Sequence, residues 1–236
     1  MHDYILFNLR DNASRYGVTI SEYQLKCLDR YVNELIFWNR KMNLTGISSR
    51  DRIFDELVLD SIIPTHSIAD EGFMLDVGSG AGFPAIPIKV FKPLLKIHLI
   101  ESNTKKVSFL KQVIRLLGLH NIDVIRGRIE MDSGMLNHEG YDIVTARSFA
   151  NLGDTIKICS SFVVHGGHLF LFQGRYAGDE LLKNRIKMHE YSMKINQILP
   201  YFTPVNKSLR HIIQLTKGPE QIYQAPLNNT NFTSDT

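Results

Sequence analysis

The chain has 236 residues, 44% of them hydrophobic and 22% charged. That is enough to bury a substantial core in one large domain, or in one domain with an extension. Sixteen glycines and eight prolines exclude a collagen-like or Pro/Gly-rich disordered chain, and two cysteines, Cys27 and Cys159, exclude a disulfide framework and lack metal-ligand spacing. Asp3 and Arg10 interrupt any apolar run that a signal peptide would need, and no uncharged stretch approaches the roughly 18 apolar residues that span a bilayer. The expectation is a soluble cytoplasmic protein with no membrane segment and no metal.

Read in chain order, residues 1–70 form a helical N-terminal extension. Ser21 caps a helix whose apolar positions Leu25, Leu28, Val32, Leu35 and Ile36 recur at helical spacing, ending near Asn39. A further helix starts at Asp51 and carries Ile53, Phe54, Leu57 and Val58. From Phe73 short apolar runs at 73–77, 97–100, 122–125, 143–146 and 168–172 alternate with helical patterns at 86–91, 104–117 and 152–163. Such alternation predicts a mostly parallel sheet covered on both faces. Two late strands, 191–199 and 208–216, add an antiparallel hairpin at the sheet edge and bring the count to seven. The α/β domain thus occupies 71–218, and a polar tail fills 219–236.

The stretch Leu75-Asp76-Val77-Gly78-Ser79-Gly80-Ala81-Gly82-Phe83-Pro84 carries the chemistry. An apolar strand delivers the chain into three glycines at alternate positions, which permit positive φ and let a ligand lie against bare backbone. A ligand there rests on the carboxyl end of the first strand, where open α/β sheets hold their ligands. The dinucleotide fingerprint Gly-x-Gly-x-x-Gly places its third glycine where Phe83 stands; here that glycine is Gly82. The pattern Gly-x-Gly-x-Gly after Asp76 resembles motif I of the class I S-adenosylmethionine-dependent methyltransferases, which have a Rossmann-like fold. Glu101, at the end of the next strand and about 20 residues on, is placed to accept hydrogen bonds from ribose hydroxyls. It also reads as a carboxylate favoured at the start of a helix beginning at Ser102 and Asn103.

Acceptor chemistry narrows by what is missing. Amino-group methylation of adenine or cytosine is usually marked by an Asn/Asp-Pro-Pro-aromatic tetrapeptide after the fourth strand, but the chain reads Thr145-Ala146-Arg147-Ser148-Phe149. Pyrimidine carbon methylation needs a thiolate, yet Cys159 sits mid-helix and Cys27 lies outside the glycine-loop domain. A ring nitrogen such as guanine N7 needs neither base nor thiolate, only alignment and tolerance of the charge that appears on the base.

Over most of its length the sequence resembles the bacterial 16S rRNA guanine-N7 methyltransferases, the RsmG or glucose-inhibited division protein B family. The carriers are Trp38-Asn39 with Asn43-Leu44-Thr45, Leu59-Asp60-Ser61, the glycine loop, and Glu101-Ser102 with Lys105, Lys106 and Phe109-Leu110. Arg128-Ile129-Glu130, Asp142-Ile143-Val144-Thr145-Ala146-Arg147 and Gly174 complete them. The resemblance implies S-adenosyl-L-methionine as cofactor, held by Gly78, Ser79, Gly80, Gly82, Phe83, Glu101, Ser102, Ile129, Glu130 and Arg147. It implies Arg147, Asn43 and Asp60, with Thr45, at the acceptor site, and rRNA or the small ribosomal subunit as partner. Blander roles stand beside these: a turn for Asn43 and Thr45, an ion pair with Arg52 for Asp60, and a strand anchor for Arg147.

The chain departs from the family pattern at Leu57 (usually His), Ile129 (usually Ala), Gln173 (usually Lys) and Gly218-Pro219-Glu220 (usually basic). Ile129 alters the adenine pocket wall, whereas Leu57, Gln173 and the altered tail favour, as the alternative, a diverged methyltransferase acting on a small-molecule or other non-ribosomal acceptor. The net charge is only +3, so RNA affinity rests on local clusters. One runs through Lys89, Lys92, Lys96, Lys105, Lys106, Lys111, Arg115, Arg126 and Arg128; the other through Lys183, Arg185, Lys187, Lys194, Lys207, Arg210 and Lys217.

Overall fold

The computed structural model describes residues 2–129, 134, 136, 137 and 139–218. Helix α1 (His2–Ser14) leads to α2 (Glu22–Met42), which Ser21 opens with a capping box. Ser21 Oγ accepts the Gln24 N–H at 3.2 Å, and Gln24 Oε1 accepts the Ser21 N–H at 2.9 Å. The helix passes the expected end at Asn39 and stops where Asn43 turns left-handed, φ 47°, a conformation asparagine tolerates better than most residues. The buried stripe of α2 includes Leu25, Leu28, Tyr31, Val32 and Leu35. Each such aliphatic side chain contributes about 1.5–3 kcal/mol by leaving water.

The next helical run begins one residue before the expected Asp51 and changes pitch twice. It comprises α3 (Arg50–Ile53), a π turn (Phe54–Val58), α4 (Leu59–Ile62) and a 3-10 turn (Ile63–Ser67). In the π turn the Leu59 N–H donates to the Phe54 carbonyl, five residues back. Asp55 and Glu56 in that turn, and Asp60 just after it, are all buried.

Seven strands follow: β1 (Phe73–Val77), β2 (Lys96–Glu101), β3 (Ile122–Arg126), β4 (Tyr141–Arg147), β5 (Val163–Gln173), β6 (Met193–Phe202) and β7 (Leu209–Lys217). They form one sheet in the order β3-β2-β1-β4-β5-β7-β6, parallel through the first five, with β7 antiparallel to both neighbours. The seven-stranded, mostly parallel sheet is therefore as expected. The late hairpin forms too, but β7 rather than β6 docks on β5, leaving β6 at the edge, where Pro200 is tolerated.

Helices α5 (Ala85–Phe91), α6 (Thr104–Leu117) and α7 (Leu152–Ser160) make the crossovers. The last is shorter than the expected 152–163, because Val163 already starts β5. Gly166 and Gly167 hide that strand start in the hydropathy pattern, and the β4–β5 register shifts there between Tyr141 and Ile143. Two short helices between β5 and β6, α8 (Ala177–Lys183) and α9 (Arg185–Glu190), are absent from the sequence expectation.

Strand alternation sorts the core into two layers. Met74, Ile97, Leu99, Ile143 and Phe170 join α1, α2, α5 and α6 in one cluster. Leu75, Val77, Val144, Leu169 and Leu171 join α7, α8 and α9 in the other. Asp76, Thr145 and Arg147 alternate with the second set, which turns their side chains toward the layer containing the N-terminal helices.

Candidate active site

The glycine loop leaves β1 and is held to the end of β2. The Gly78 and Ser79 N–H groups both donate to the Ile100 carbonyl, at 3.0 and 3.1 Å. The Gly80 N–H donates to Glu101 Oε2 at 2.8 Å, and Glu101 Oε1 accepts the Asn103 N–H at 2.8 Å. Glu101 is thus locked by two backbone donors at the strand end, and each oxygen keeps a lone pair for a further donor. The Asn103 contact fits the helix-start reading of this residue.

The three loop glycines meet different surroundings, and a Cβ on Gly78 (φ 68°) would stand 2.9 Å from Phe149 Cδ2. A Cβ on Gly82 (φ 95°) would stand 2.6 Å from Ile86 Cγ1 and 3.0 Å from both Leu110 Cδ2 and Tyr31 Oη. A Cβ on Gly80 (φ 58°) would find no atom nearer than the Gly78 carbonyl at 3.8 Å. Gly82 is therefore required by packing, whereas Gly80 leaves open space. Ser79 is buried, its hydroxyl donating to the Asp76 carbonyl at 3.0 Å. Phe83 is turned into the core, its ring 5.0 Å from that of Tyr31, whose hydroxyl donates to the Ala81 carbonyl at 2.5 Å. Helix α2 of the extension thus buttresses the loop from behind.

A cleft of about 320 Å³ opens at the carboxyl ends of β1, β2 and β3, lined by Gly78, Ile100, Glu101, Ser102, Gly127, Arg128, Ile129, Ser148 and Phe149. Gly78, Glu101, Ser102 and Ile129 were foreseen as cofactor residues and meet here; Ser79, Gly80, Gly82 and Phe83 shape the loop without lining the cleft. Glu130 lies outside the described residues. Phe149 and Ser148 were not foreseen. Their only trace in the sequence is an aromatic two residues beyond the fourth strand, and Ser148 there has φ 49°.

Beneath the loop, Asp76 is fully enclosed. Its Oδ1 accepts the Thr145 hydroxyl at 2.6 Å, while Oδ2 has no hydrogen-bond partner among the described residues. Burial is the main cause that lifts its carboxyl to about 6, against the opposing bond from Thr145.

Arg147, at the end of β4, reaches the π turn. Its guanidinium donates to Asp60 Oδ2 and, at 2.8 Å, to the Glu56 carbonyl. Asp60 also accepts the Tyr201 hydroxyl from β6. Burial raises the Asp60 carboxyl despite Arg147 and Arg210 nearby. Glu56 completes the cluster, accepting from Arg52 at 2.7 Å, Asn206 at 2.6 Å and Arg210 at 3.0 Å. The alternative pairing of Asp60 with Arg52 is therefore wrong, because Arg52 holds Glu56. Tyr201 and Glu56 were also missed, since their partners lie far away in the chain.

Asn43 and Thr45 take turn positions. Asn43 is the left-handed cap of α2, and Thr45 accepts the Ile47 N–H at 3.3 Å while donating its own N–H to Asn39 at 2.9 Å. Among the described residues, neither bonds to Arg147 or Asp60, whose partners are each other, the Glu56 carbonyl and Tyr201. Leu57 packs in the core cluster of the N-terminal helices rather than facing the cleft.

The first basic stretch divides. Lys89 is buried, donating to the Pro93 carbonyl at 2.8 Å and to that of Leu95; Lys92 pairs with Asp70 and Lys96 lies over the Phe73 ring. These serve the amino ends of the strands. Lys105, Lys106, Arg126 and Arg128 instead follow the carboxyl ends of β2 and β3, on the side of the cleft. In the second stretch Arg210 is committed to Glu56, Lys183 to Glu180, and Lys217 donates to the Ser160 carbonyl.

A family model described as rRNA small subunit methyltransferase G matches residues 24–212. The ribosomal RNA small subunit methyltransferase G of Alkaliphilus metalliredigens is 34% identical over 224 residues, spanning 92% of this chain and 94% of its own length. That of Thermotoga neapolitana is 36% identical over 193 residues, spanning 82% and 83%. Solved structures share the fold at much lower identity. A SAM-dependent methyltransferase from Aquifex aeolicus superposes with a TM-score of 0.57 at 14% identity, covering 74% of this chain and 97% of that one. Pyrococcus horikoshii TYW2, solved with MeSAdo, gives 0.54 at 16%, covering 68% and 62%.

Proposed function

The chain belongs to the rRNA small subunit methyltransferase G family, an S-adenosylmethionine-dependent class, and from that premise we propose that it methylates N7 of a guanine in 16S rRNA. The observation that carries the cofactor assignment is Glu101, a buried carboxylate fixed by Gly80 and Asn103 at the mouth of an open cleft.

The residues present fit the cofactor. Glu101 takes the ribose hydroxyls, and Ile100, Ile129 and Phe149 offer apolar walls for a planar base. The backbone at Gly80 accepts close approach, a Cβ there meeting no atom nearer than 3.8 Å, whereas the Phe149 ring already covers Gly78. When bound, S-adenosylmethionine supplies an electrophilic methyl group on a sulfonium.

Guanine N7 has a free lone pair at neutral pH, so no residue of the chain has to remove a proton. The work left to the protein is positioning, exclusion of water, and placement of charge. Arg147, held by Asp60 and the Glu56 carbonyl, presents a rigid cation at the end of β4 beside Asp76. Lys105, Lys106, Arg126 and Arg128 supply positive charge for rRNA phosphates on the cleft side. The departure at Leu57, offered for a small-molecule acceptor, has no bearing on the cleft, and no specific observation favours that reading.

The test is to incubate the protein with S-adenosylmethionine and small subunits, or their rRNA, that lack the modification, and to read digested RNA by mass spectrometry. The expected product is 7-methylguanosine at one position. Glu101→Gln, which loses one acceptor oxygen, weakens cofactor affinity tenfold or more while the protein stays folded. Cofactor binding without methyl transfer to either form of the RNA overturns the proposal.

A further inference from the structure

The chain leaves β5 at the same end of the sheet that carries the cleft. Arg147 and Phe172 are partners in the β4–β5 register, so Phe149 and Gly174 each stand two residues beyond that shared rung. Phe149 lines the cleft, and Gly174 opens the turn Gly174-Arg175-Tyr176 that leads into α8. With strands about 4.8 Å apart and at most ~3.6 Å per residue, the Tyr176 Cα is no more than about 20 Å from that of Arg147. Gln173, which ends β5, brings no charge, so Arg175 is the first cation past the strand.

The turn is held at both ends. The Gly174 carbonyl accepts the Ala177 N–H at 3.3 Å and the His211 Nδ1–H from β7 at 2.9 Å. The Tyr176 carbonyl accepts the Glu180 N–H at 3.0 Å, and Ala177 and Leu181 are buried in the second core layer. On this fixed backbone the Tyr176 side chain stands in water, the residue being 66% exposed. Arg175 Cζ lies 5.7 Å from the centre of that ring, and its guanidinium forms no ion pair among the described residues. The nearby Glu180 is taken by Lys183 at 3.0 Å.

Single exposed rings are common on protein surfaces. This one differs in being fixed in place, accompanied by an uncommitted cation, and set at the end of the sheet where the acceptor must arrive. Unstacked RNA bases lie on such rings, and the phosphate beside the base needs a cation. A purely apolar partner would leave the guanidinium charge stranded, whereas a nucleotide answers both groups at once. We propose that Tyr176 stacks a base flanking the methylated guanine in single-stranded rRNA, while Arg175 pairs with the phosphate of that nucleotide. The inference rests on the rRNA reading of the site. It adds a grip on the acceptor strand at β5, across β1 and β4 from Lys105 and Lys106 beyond β2. Both are positioning residues, remote from the reacting atoms.

The probe is small-subunit rRNA that lacks the modification, naked and in assembled subunits, with binding read by filter retention in the presence of S-adenosylhomocysteine. Tyr176→Ala is expected to weaken binding to naked RNA about tenfold or more, and Tyr176→Phe to change it less than about twofold. Arg175→Gln should lower the slope of log affinity against log salt by about 0.7. Calorimetric affinity for S-adenosylhomocysteine stays unchanged in all three, because neither side chain lines the cleft. RNA affinity unchanged in Tyr176→Ala, with the wild type binding, overturns the proposal and leaves the methylation reading standing. So does a loss confined to assembled subunits, which makes the ring a contact for a ribosomal protein. A loss in Tyr176→Phe as large as in alanine, or a salt slope unmoved by Arg175→Gln, overturns it too. A wild-type chain that takes up cofactor but binds neither form of RNA overturns both readings together.

Discussion

Substituting alanine at two of the loop glycines separates what each glycine is for. At Gly82 the added methyl would lie 2.6 Å from Ile86 Cγ1 and 3.0 Å from Leu110 and Tyr31, on backbone with φ 95°. Overpacking of this kind costs about 1–3 kcal/mol, and an unfavourable φ adds roughly 1–2 kcal/mol. Gly82→Ala is therefore expected to lose about 2–5 kcal/mol in urea denaturation. For a chain of this size that is a fall of roughly 5–15 °C in Tm. At Gly80 the methyl enters open space, so Gly80→Ala loses only ~1 kcal/mol from its φ of 58°. That open space adjoins Glu101, to which the Gly80 N–H donates at 2.8 Å, and calorimetric titration with S-adenosylhomocysteine should show binding at least tenfold weaker. Equal destabilisation by the two substitutions, or a Gly82→Ala protein within 1 kcal/mol of wild type (about the floor for such strain), refutes the division of roles.

Two further expectations concern buried charge. Arg147→Met strips the buried Asp60 of its guanidinium and is expected to cost about 3–5 kcal/mol, much of which returns when Asp60→Leu is added; urea denaturation of both variants checks it. Asp76 is protonated more readily in the fold than in the unfolded chain, where its value is near 3.8 against about 6. Stability from this group is fully present below the lower value and lost as pH rises through the upper. Asp76→Asn removes that loss, so its stability relative to wild type should grow by up to ~3 kcal/mol between about pH 4 and pH 7.5. A difference that stays flat with pH contradicts the burial argument.

The parts of the molecule legible in the sequence are those specified by neighbours in the chain. The Ser21 cap, the five apolar strand runs and the Gly-x-Gly-x-Gly loop are local patterns, and α6 falls on the expected 104–117. Glu101 was legible because strand, loop and next strand follow in a fixed order. The cluster around Arg147 was not, because Tyr201 and Arg210 come to Asp60 and Glu56 across 141 and 154 residues. Nothing in local composition announces such a pairing. Lys89 misleads for the same reason. It reads as surface charge until the turn after α5 folds two carbonyls over its ammonium. Phe83, read as a cofactor contact from its place in the motif, faces Tyr31 because the loop's direction after Gly82 is set by α2.

The long reach between the π turn and the last hairpin has a consequence for biosynthesis. Asp55, Glu56 and Asp60 leave the ribosome early, yet the Val205 N–H, the Arg210 guanidinium and the Tyr201 hydroxyl that answer them come some 140 to 150 residues later. At 5–20 residues per second that is a delay of roughly 10–30 s. Through it the three carboxylates must remain hydrated, so the early helices cannot settle into their final packing. A nascent chain halted before β7 should accordingly be digested by protease within its first 70 residues, and release of the whole chain should protect them.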